Sequence, residues 1–251
     1  MQDTAALGTI LGIWAHPDDD IFLSAGLMAT AVRNGQRVVD VTATRGEGGS
    51  MDEERWPPES MGEVRTKELL RSLEILGVME HRFLDGPVDV DMQEHLDEAG
   101  AEQVRAIVQE IDPDTILTFG PDGMTGHQGH KDVSRWTTDA FREVAKPGAR
   151  LFYATQTPSF AEEVVPSLEQ FDIFLPGTPP VTQPQDLAID FSCDDEALDL
   201  KVTSLEAHES QIEGLLEVFG HDGLRRFLRD EVYREARPEA RPEARPEAQE
   251  D

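Results

Sequence analysis

The chain has 251 residues, 38% of them hydrophobic, and carries 51 acidic against 22 basic residues for a formal net charge of −29. Such a surface repels nucleic-acid phosphates and anionic membranes, which argues against both as partners. Its single cysteine, Cys193, leaves no internal disulfide and no Cys-based zinc site. The acid excess also fits a high-salt environment, where self-repulsion is screened; a melting temperature that fails to rise from low to molar salt would sink that idea. No apolar run reaches the ~18 residues of a membrane span and no basic leader opens the chain, so the expectation is a soluble, cytoplasmic protein.

In chain order, Thr9–Asp20 reads Thr-Ile-Leu-Gly-Ile-Trp-Ala-His-Pro-Asp-Asp-Asp. A short apolar run of this kind predicts a buried parallel strand, and it stops at a His, a Pro and three carboxylates. Ile21–Asn34 has helical spacing and ends at Asn34-Gly35. Arg37–Ala43 is short and β-branched, which completes a right-handed strand–helix–strand unit. Thr44–Met61 has no periodicity and is a long connection of the kind that often carries function. Glu63–Leu76 predicts a helix ending at Gly77, and Arg82–Leu84 a short strand.

Leu96–Ile111 is predicted helical and closed by Asp112-Pro113, and Thr115–Phe119 is another buried strand. Lys131–Val144 predicts a helix and Leu151–Thr155 a strand. Six prolines between Pro158 and Pro184 predict an irregular segment over the sheet edge or the site. Leu187–Phe191 is a last candidate strand, and Glu196–Phe219 is expected to be largely helical. From Glu235 the chain repeats Glu-Ala-Arg-Pro, whose regular Pro and lack of apolar residues predict disorder. Alternating strands and helices argue an α/β fold with a mainly parallel, doubly wound sheet.

In such sheets ligands bind at the carboxyl ends of strands. Pro17-Asp18-Asp19-Asp20 also suits an ordinary helix start, where Pro and acids are favoured. Three adjacent carboxylates beside His16, however, repel one another more than a cap requires, and a dication relieves that repulsion. A catalytic zinc takes three protein ligands and keeps a place for water. His16 and Asp19 supply two candidates, and His127 and His130, just past the Thr115–Phe119 strand, supply candidates for the third. No Gly-x-Gly-x-x-Gly follows the first strand, which argues against a dinucleotide site.

His16-Pro17-Asp18-Asp19, Thr44-Arg45-Gly46-Glu47, the Arg65–Gly77 helix, Gly126-His127-Gln128-Gly129-His130 and Lys201…Ala207-His208-Glu209-Ser210-Gln211 together resemble the LmbE-like/PIG-L family of zinc-dependent N-deacetylases, from Gly8 to Gln211 and in the family's motif order. The resemblance implies a Rossmann-like, three-layer domain over residues 1–232, followed by the 233–251 tail. It implies metal ligation by His16, Asp19 and His130, with Asp18 as general base and His127 as oxyanion stabiliser or acid. Arg65 matches an Arg that contacts the sugar substrate in some members. Gly129 departs from the family, which usually has Asp there to tune the neighbouring His.

The expected reaction is hydrolysis of the N-acetyl amide of an amino sugar or its glycoside, with Zn²⁺ (or Fe²⁺) lowering the pKa of the attacking water. The partner is then a small-molecule amino sugar, with self-association into a homo-oligomer left open. Three alternatives stand beside it: an amidase of a thiol-sugar conjugate, a non-haem Fe(II) oxygenase built on two His and a carboxylate, and an inactive metal-binding module.

Overall fold

The computed structural model describes residues 4–89 and 93–237. Its strands are β1 (Ile10–Trp14), β2 (Val38–Thr42), β3 (Glu80–Phe83), β4 (Thr115–Phe119), β5 (Arg150–Ala154), β6 (Ile189–Ser192) and β7 (Asp230–Glu235). They form one sheet in the order β3-β2-β1-β4-β5-β7-β6. β3 through β5 are mutually parallel, while β7 runs antiparallel to both β5 and β6. Every residue of β1, β2 and β4 is buried, as expected of central parallel strands covered on both faces. Helices α1 (Asp19–Arg33), α2 (Met61–Leu76) and α7 (Asp195–Glu206) pack together, and α3 (Ala99–Ile111) packs on α4 (Gln128–Val144). The result is the three-layer α/β architecture that the alternation predicts. Among the described residues, no helix is long and apolar enough to cross a membrane.

Strand order reverses between β1 and β4, because β1 connects outward through β2 to β3 while β4 connects the other way to β5. Such a switch point leaves a crevice at the carboxyl ends of the two strands. His16 lies in the loop after β1 and His130 in the first turn of α4, which follows β4, so the topology brings those two rings together. Beneath them Trp14 and Phe119 pack edge to face, with centroids 5.3 Å apart and an interplanar angle of 83°.

Three expectations need correction. The helical stretch expected over Glu196–Phe219 is two helices, α7 and α8 (Glu209–Phe227), because His208 leaves the helix at φ −89°, ψ 57°. α8 then runs on past Phe219 and kinks at Gly220, whose φ of 58° suits a residue without Cβ. β7 has no counterpart in the expected elements. Its sequence, Asp-Glu-Val-Tyr-Arg-Glu, hides a strand because Glu231 is buried and ion-paired with Lys201 rather than facing water. β7 ends at Glu235, and the tail beyond Arg237 lies outside the described residues. The Pro-rich segment is not wholly irregular: it holds short helices α5 (Pro158–Glu163) and α6 (Val165–Leu168).

The Lys201–Gln211 motif is a set of ties between helices. Lys201 Nζ donates to Glu231 Oε1 at 2.6 Å and to the Phe22 carbonyl at 2.9 Å. Glu231 in turn accepts the Gly26 and Leu27 backbone N–H groups, both at 2.8 Å. Ser210 N and Oγ donate to the Glu68 carboxylate at 2.8 and 2.7 Å, and Gln211 Nε2 donates to the Gly49 carbonyl at 2.9 Å. These bonds fix α7 and α8 against α1, α2 and the loop after β2.

Candidate metal and active site

The β1–α1 turn is strained where the chemistry sits. Asp18 precedes α1 at φ 104°, ψ −26°, a region non-Gly residues rarely occupy, and its side chain makes no capping bond. An Asp favoured only as a cap would accept from the helix N–H groups; this one turns instead to Arg65, whose Nη2 lies 3.1 Å from its Oδ2. The neighbouring Asp19 faces the other way, and its Oδ2 accepts the His16 backbone N–H at 2.7 Å. The two adjacent acids are thereby assigned to different tasks.

His16, Asp19 and His130 converge. His16 Nδ1 is 3.0 Å from His130 Nε2 and 3.6 Å from Asp19 Oδ2, and His130 Nε2 is 3.4 Å from Asp19 Oδ1. Ligands about 2.1 Å from a tetrahedral ion lie about 3.4 Å from one another, and these separations bracket that value, the two to Asp19 running to its two different oxygens. His130 Nδ1 donates to the Gly123 carbonyl at 2.9 Å, which can only accept, so Nε2 carries a bare lone pair. The Phe119 ring stacks on that imidazole at 4.1 Å and 10°, fixing its plane. His16 Nε2 lies 2.9 Å from Asp89 Oδ2, a close contact outside hydrogen-bond alignment. With Nε2 turned to that carboxylate, Nδ1 aims at the His130 lone pair. Two nitrogens so placed share a hydrogen in the absence of an ion and would take a metal between them in its presence.

The electrostatics point the same way. Burial works against charge on His16, yet the Asp19 and Asp89 carboxylates outweigh it and hold the ring at about 10. His130 is pushed down to about 4, chiefly by burial, and stays neutral. Burial opposes ionisation of Asp19, but His130 and His16 hold it well below the usual carboxylate range. Asp18 is pushed up to about 6 by burial, with the Arg65 charge pulling it down. His127 is lowered, again mainly by burial, and its buried Nε2 has no hydrogen-bond partner among the described residues. Its ring lies 5.1 Å from His130 and 6.4 Å from His16, and one nitrogen from each of the three rings falls within 4.8 Å of the others.

Arg65 is buried, and its guanidinium ties loops together, donating to the Pro17 carbonyl at 2.7 Å and to the Gly46 carbonyl at 3.3 Å as well as to Asp18. Asp89 is the residue the sequence reading missed. An isolated acid in Pro-Val-Asp-Val-Asp carries no spacing signal, and only the fold brings it to His16. Gly129 lies beside the same ring: a Cβ there would sit 3.7 Å from His16 Nε2 and 3.4 Å from Leu96 Cδ1. The three histidines, Asp18, Asp19, Arg65 and Asp89 line one cavity of about 860 Å³, together with Ser50, Trp56, Gln211 and a run of apolar residues from the Pro-rich segment and α8.

Residues 11–141 match the PIG-L family model, described as GlcNAc-PI de-N-acetylase. A 1D-myo-inositol 2-acetamido-2-deoxy-alpha-D-glucopyranoside deacetylase of Saccharomonospora viridis is 31% identical over 234 residues, covering 81% of this chain and 85% of its own length. Among solved structures, the zinc-inhibited form of teicoplanin deacetylase aligns with TM-score 0.63 at 20% identity, over 90% of this chain and 97% of its own. GalB, the 4-carboxy-2-hydroxymuconate hydratase of Pseudomonas putida, aligns with TM-score 0.59 at 13% identity, over 95% and 100%. One fold therefore carries more than one water-using reaction, and the activity must be argued from the site.

Proposed function

The chain belongs to the PIG-L family of GlcNAc-PI de-N-acetylases, and from that footing we propose that it is a metal-dependent hydrolase releasing acetate from the amide nitrogen of an N-acetylated amino sugar or its glycoside. The carrying observation is the His16–Asp19–His130 corner, with separations of 3.0, 3.4 and 3.6 Å and the His130 Nε2 lone pair turned inward. Those three residues would hold one Zn²⁺, or Fe²⁺ in its place. A dication there supplies Lewis-acid charge and acidifies a neighbouring water.

The chain's own groups account for the remaining chemistry. Asp18 is kept off the metal corner by its backbone and by Arg65, and an acidity near 6 suits a base working close to neutrality. It takes a proton as water oxygen bonds to the acetyl carbon. His127, neutral and unpartnered at Nε2, donates to the oxygen that gains charge. The C–N bond then breaks, and the proton held on Asp18 passes to the amine nitrogen. Arg65 acts in this reading by holding Pro17 and Asp18, and its side chain also lines the cavity that would take the sugar.

Metal analysis combined with acetate release from a panel of N-acetylated amino sugars tests the reading. We expect stoichiometric metal, loss of turnover on chelation and recovery on Zn²⁺ addition, all independent of oxygen. Oxygen-dependent turnover would favour oxygenase chemistry, and metal binding without acetate release on any amino sugar would favour an inactive binding module.

A further inference from the structure

We propose that the amide this enzyme prefers carries an apolar N-acyl chain longer than acetyl, seated on a phenylalanine wall beside the metal corner. The inference rests on the amide-hydrolase reading above and names the acyl group it fits. Phe22, Phe160, Phe171 and Phe227 line the same cavity as Arg65 and Asp89, each only partly buried although flanked by core residues. Phe227 lies 6.3 Å from Phe22 and 5.6 Å from Phe160, centroid to centroid, and buried Leu168 and Leu215 also line this side. Half-exposed aromatics grouped inside a cavity are costly to leave wet and mark a place for apolar ligand surface.

Sheet order decides which part of a substrate reaches that wall. Arg65 and Asp89 come from the β2–β3 flank of β1, whereas Phe160 and Phe171 follow β5 and Phe227 precedes β7. His16 and His130 lie between the two flanks. An amide whose carbonyl sits at the metal corner, with its sugar nitrogen toward Arg65 and Asp89, directs its acyl substituent toward the phenylalanines. The exposed carboxylates of Asp172, Glu213, Glu217 and Asp230 also line the cavity, and they disfavour an anionic lipid there. Nor do the residues beyond Arg237 suit the wall, since Pro-Glu-Ala-Arg repeats offer no large apolar side chain. A neutral hydrocarbon chain is the occupant that fits. Hydrolysis then joins water oxygen to the acyl carbon, breaks the C–N bond, delivers the proton to the amine and frees a fatty carboxylate, which the acidic rim repels.

The test is kcat/KM of the metal-loaded enzyme on N-acetyl-, N-butanoyl-, N-hexanoyl- and N-octanoyl-glucosamine. Each added methylene should raise it about two- to fourfold, mainly through KM, until the wall is covered. The octanoyl-to-acetyl ratio should fall toward one in Phe227→Ala, and in Phe160→Trp, which fills the pocket and serves if the Ala variant unfolds. A flat or falling series with acetate still released would overturn the inference and leave the hydrolase reading intact. So would a gain confined to the octyl glycoside of N-acetylglucosamine, which would put the aglycone on this wall. Should no amide be cleaved, calorimetric binding of the same series to metal-loaded Asp18→Asn decides: equal affinity for acetyl and octanoyl rejects the wall, and rising affinity supports it.

Discussion

Replacing Asp89 by Asn should loosen the metal site without touching a ligand. The Asp89 carboxylate stands 2.9 Å from His16 Nε2, the nitrogen opposite the one aimed at the metal corner, and that nitrogen has no aligned hydrogen-bond partner. A carboxylate in that position orients a ligating imidazole and increases its basicity, and losing it typically costs 10- to 100-fold in metal affinity, or about 1.4–2.8 kcal/mol. Asn keeps the shape and removes the charge, so the loss is expected within that range. The assay is Zn²⁺ titration against a competing chelator, with thermal melting as a folding control. Gly129 offers a rescue. A Cβ at that helical position would lie 3.7 Å from His16 Nε2 in ordinary contact with Leu96, so Asp89→Asn combined with Gly129→Asp returns a carboxylate from the other side and should recover most of the affinity. An Asp89→Asn variant with unchanged zinc affinity would refute the reasoning, and failure of the double variant alone would confine it to Asp89.

Asp18→Asn should retain metal yet lose about 10²–10⁴-fold in kcat; undiminished turnover would remove Asp18 from the role of base. Lys201→Met should cost about 3–5 kcal/mol in denaturant unfolding, because it leaves Glu231 charged and fully buried without its 2.6 Å partner; a loss under about 1 kcal/mol would mean Glu231 takes up a proton at little cost. Asp40, buried near His81 and pushed up to about 8 chiefly by burial, stabilises the fold below its unfolded pKa near 4 and loses that contribution as pH rises through 8. The stability of wild type relative to Asp40→Asn should therefore fall across pH 4–8 by at most about 1.4 kcal/mol per unit; parallel pH profiles for the two proteins would contradict it.

The sequence made legible whatever had local periodicity or a strand-end position. β1, β2 and β4 are continuous apolar runs because both of their faces are covered, and each reads off at once. His16 and Asp19 were readable because they directly follow such a run and His130 because it lies in the first turn of the helix after another, and the switch point between β1 and β4 then closes the gap of 114 residues between the two rings. β7 was not readable, since a buried Glu breaks the alternation that marks a strand and its meaning depends on Lys201, 30 residues earlier. Asp89 and the phenylalanine wall failed for a related reason. Each residue is unremarkable among its sequence neighbours and acquires its place only when loops from β3, β5 and α8 meet.

The turn at Asp18 shows how those distant parts serve the chemistry. A non-Gly residue at φ 104° costs on the order of 1–3 kcal/mol, and such a geometry persists only where its surroundings enforce it. Here the enforcement is Arg65, which grips the Pro17 carbonyl at 2.7 Å and the Asp18 carboxylate at 3.1 Å from α2. α2 is itself held through Glu68 by Ser210, and α1 through Phe22 and Glu231 by Lys201. Relaxing that turn would let Asp18 swing to cap α1 as an ordinary Asp does, beside an Asp19 still facing the metal corner. The C-terminal motif thus reaches the strained turn at a distance, and under the proposed mechanism its part is to keep Asp18 from becoming a helix cap.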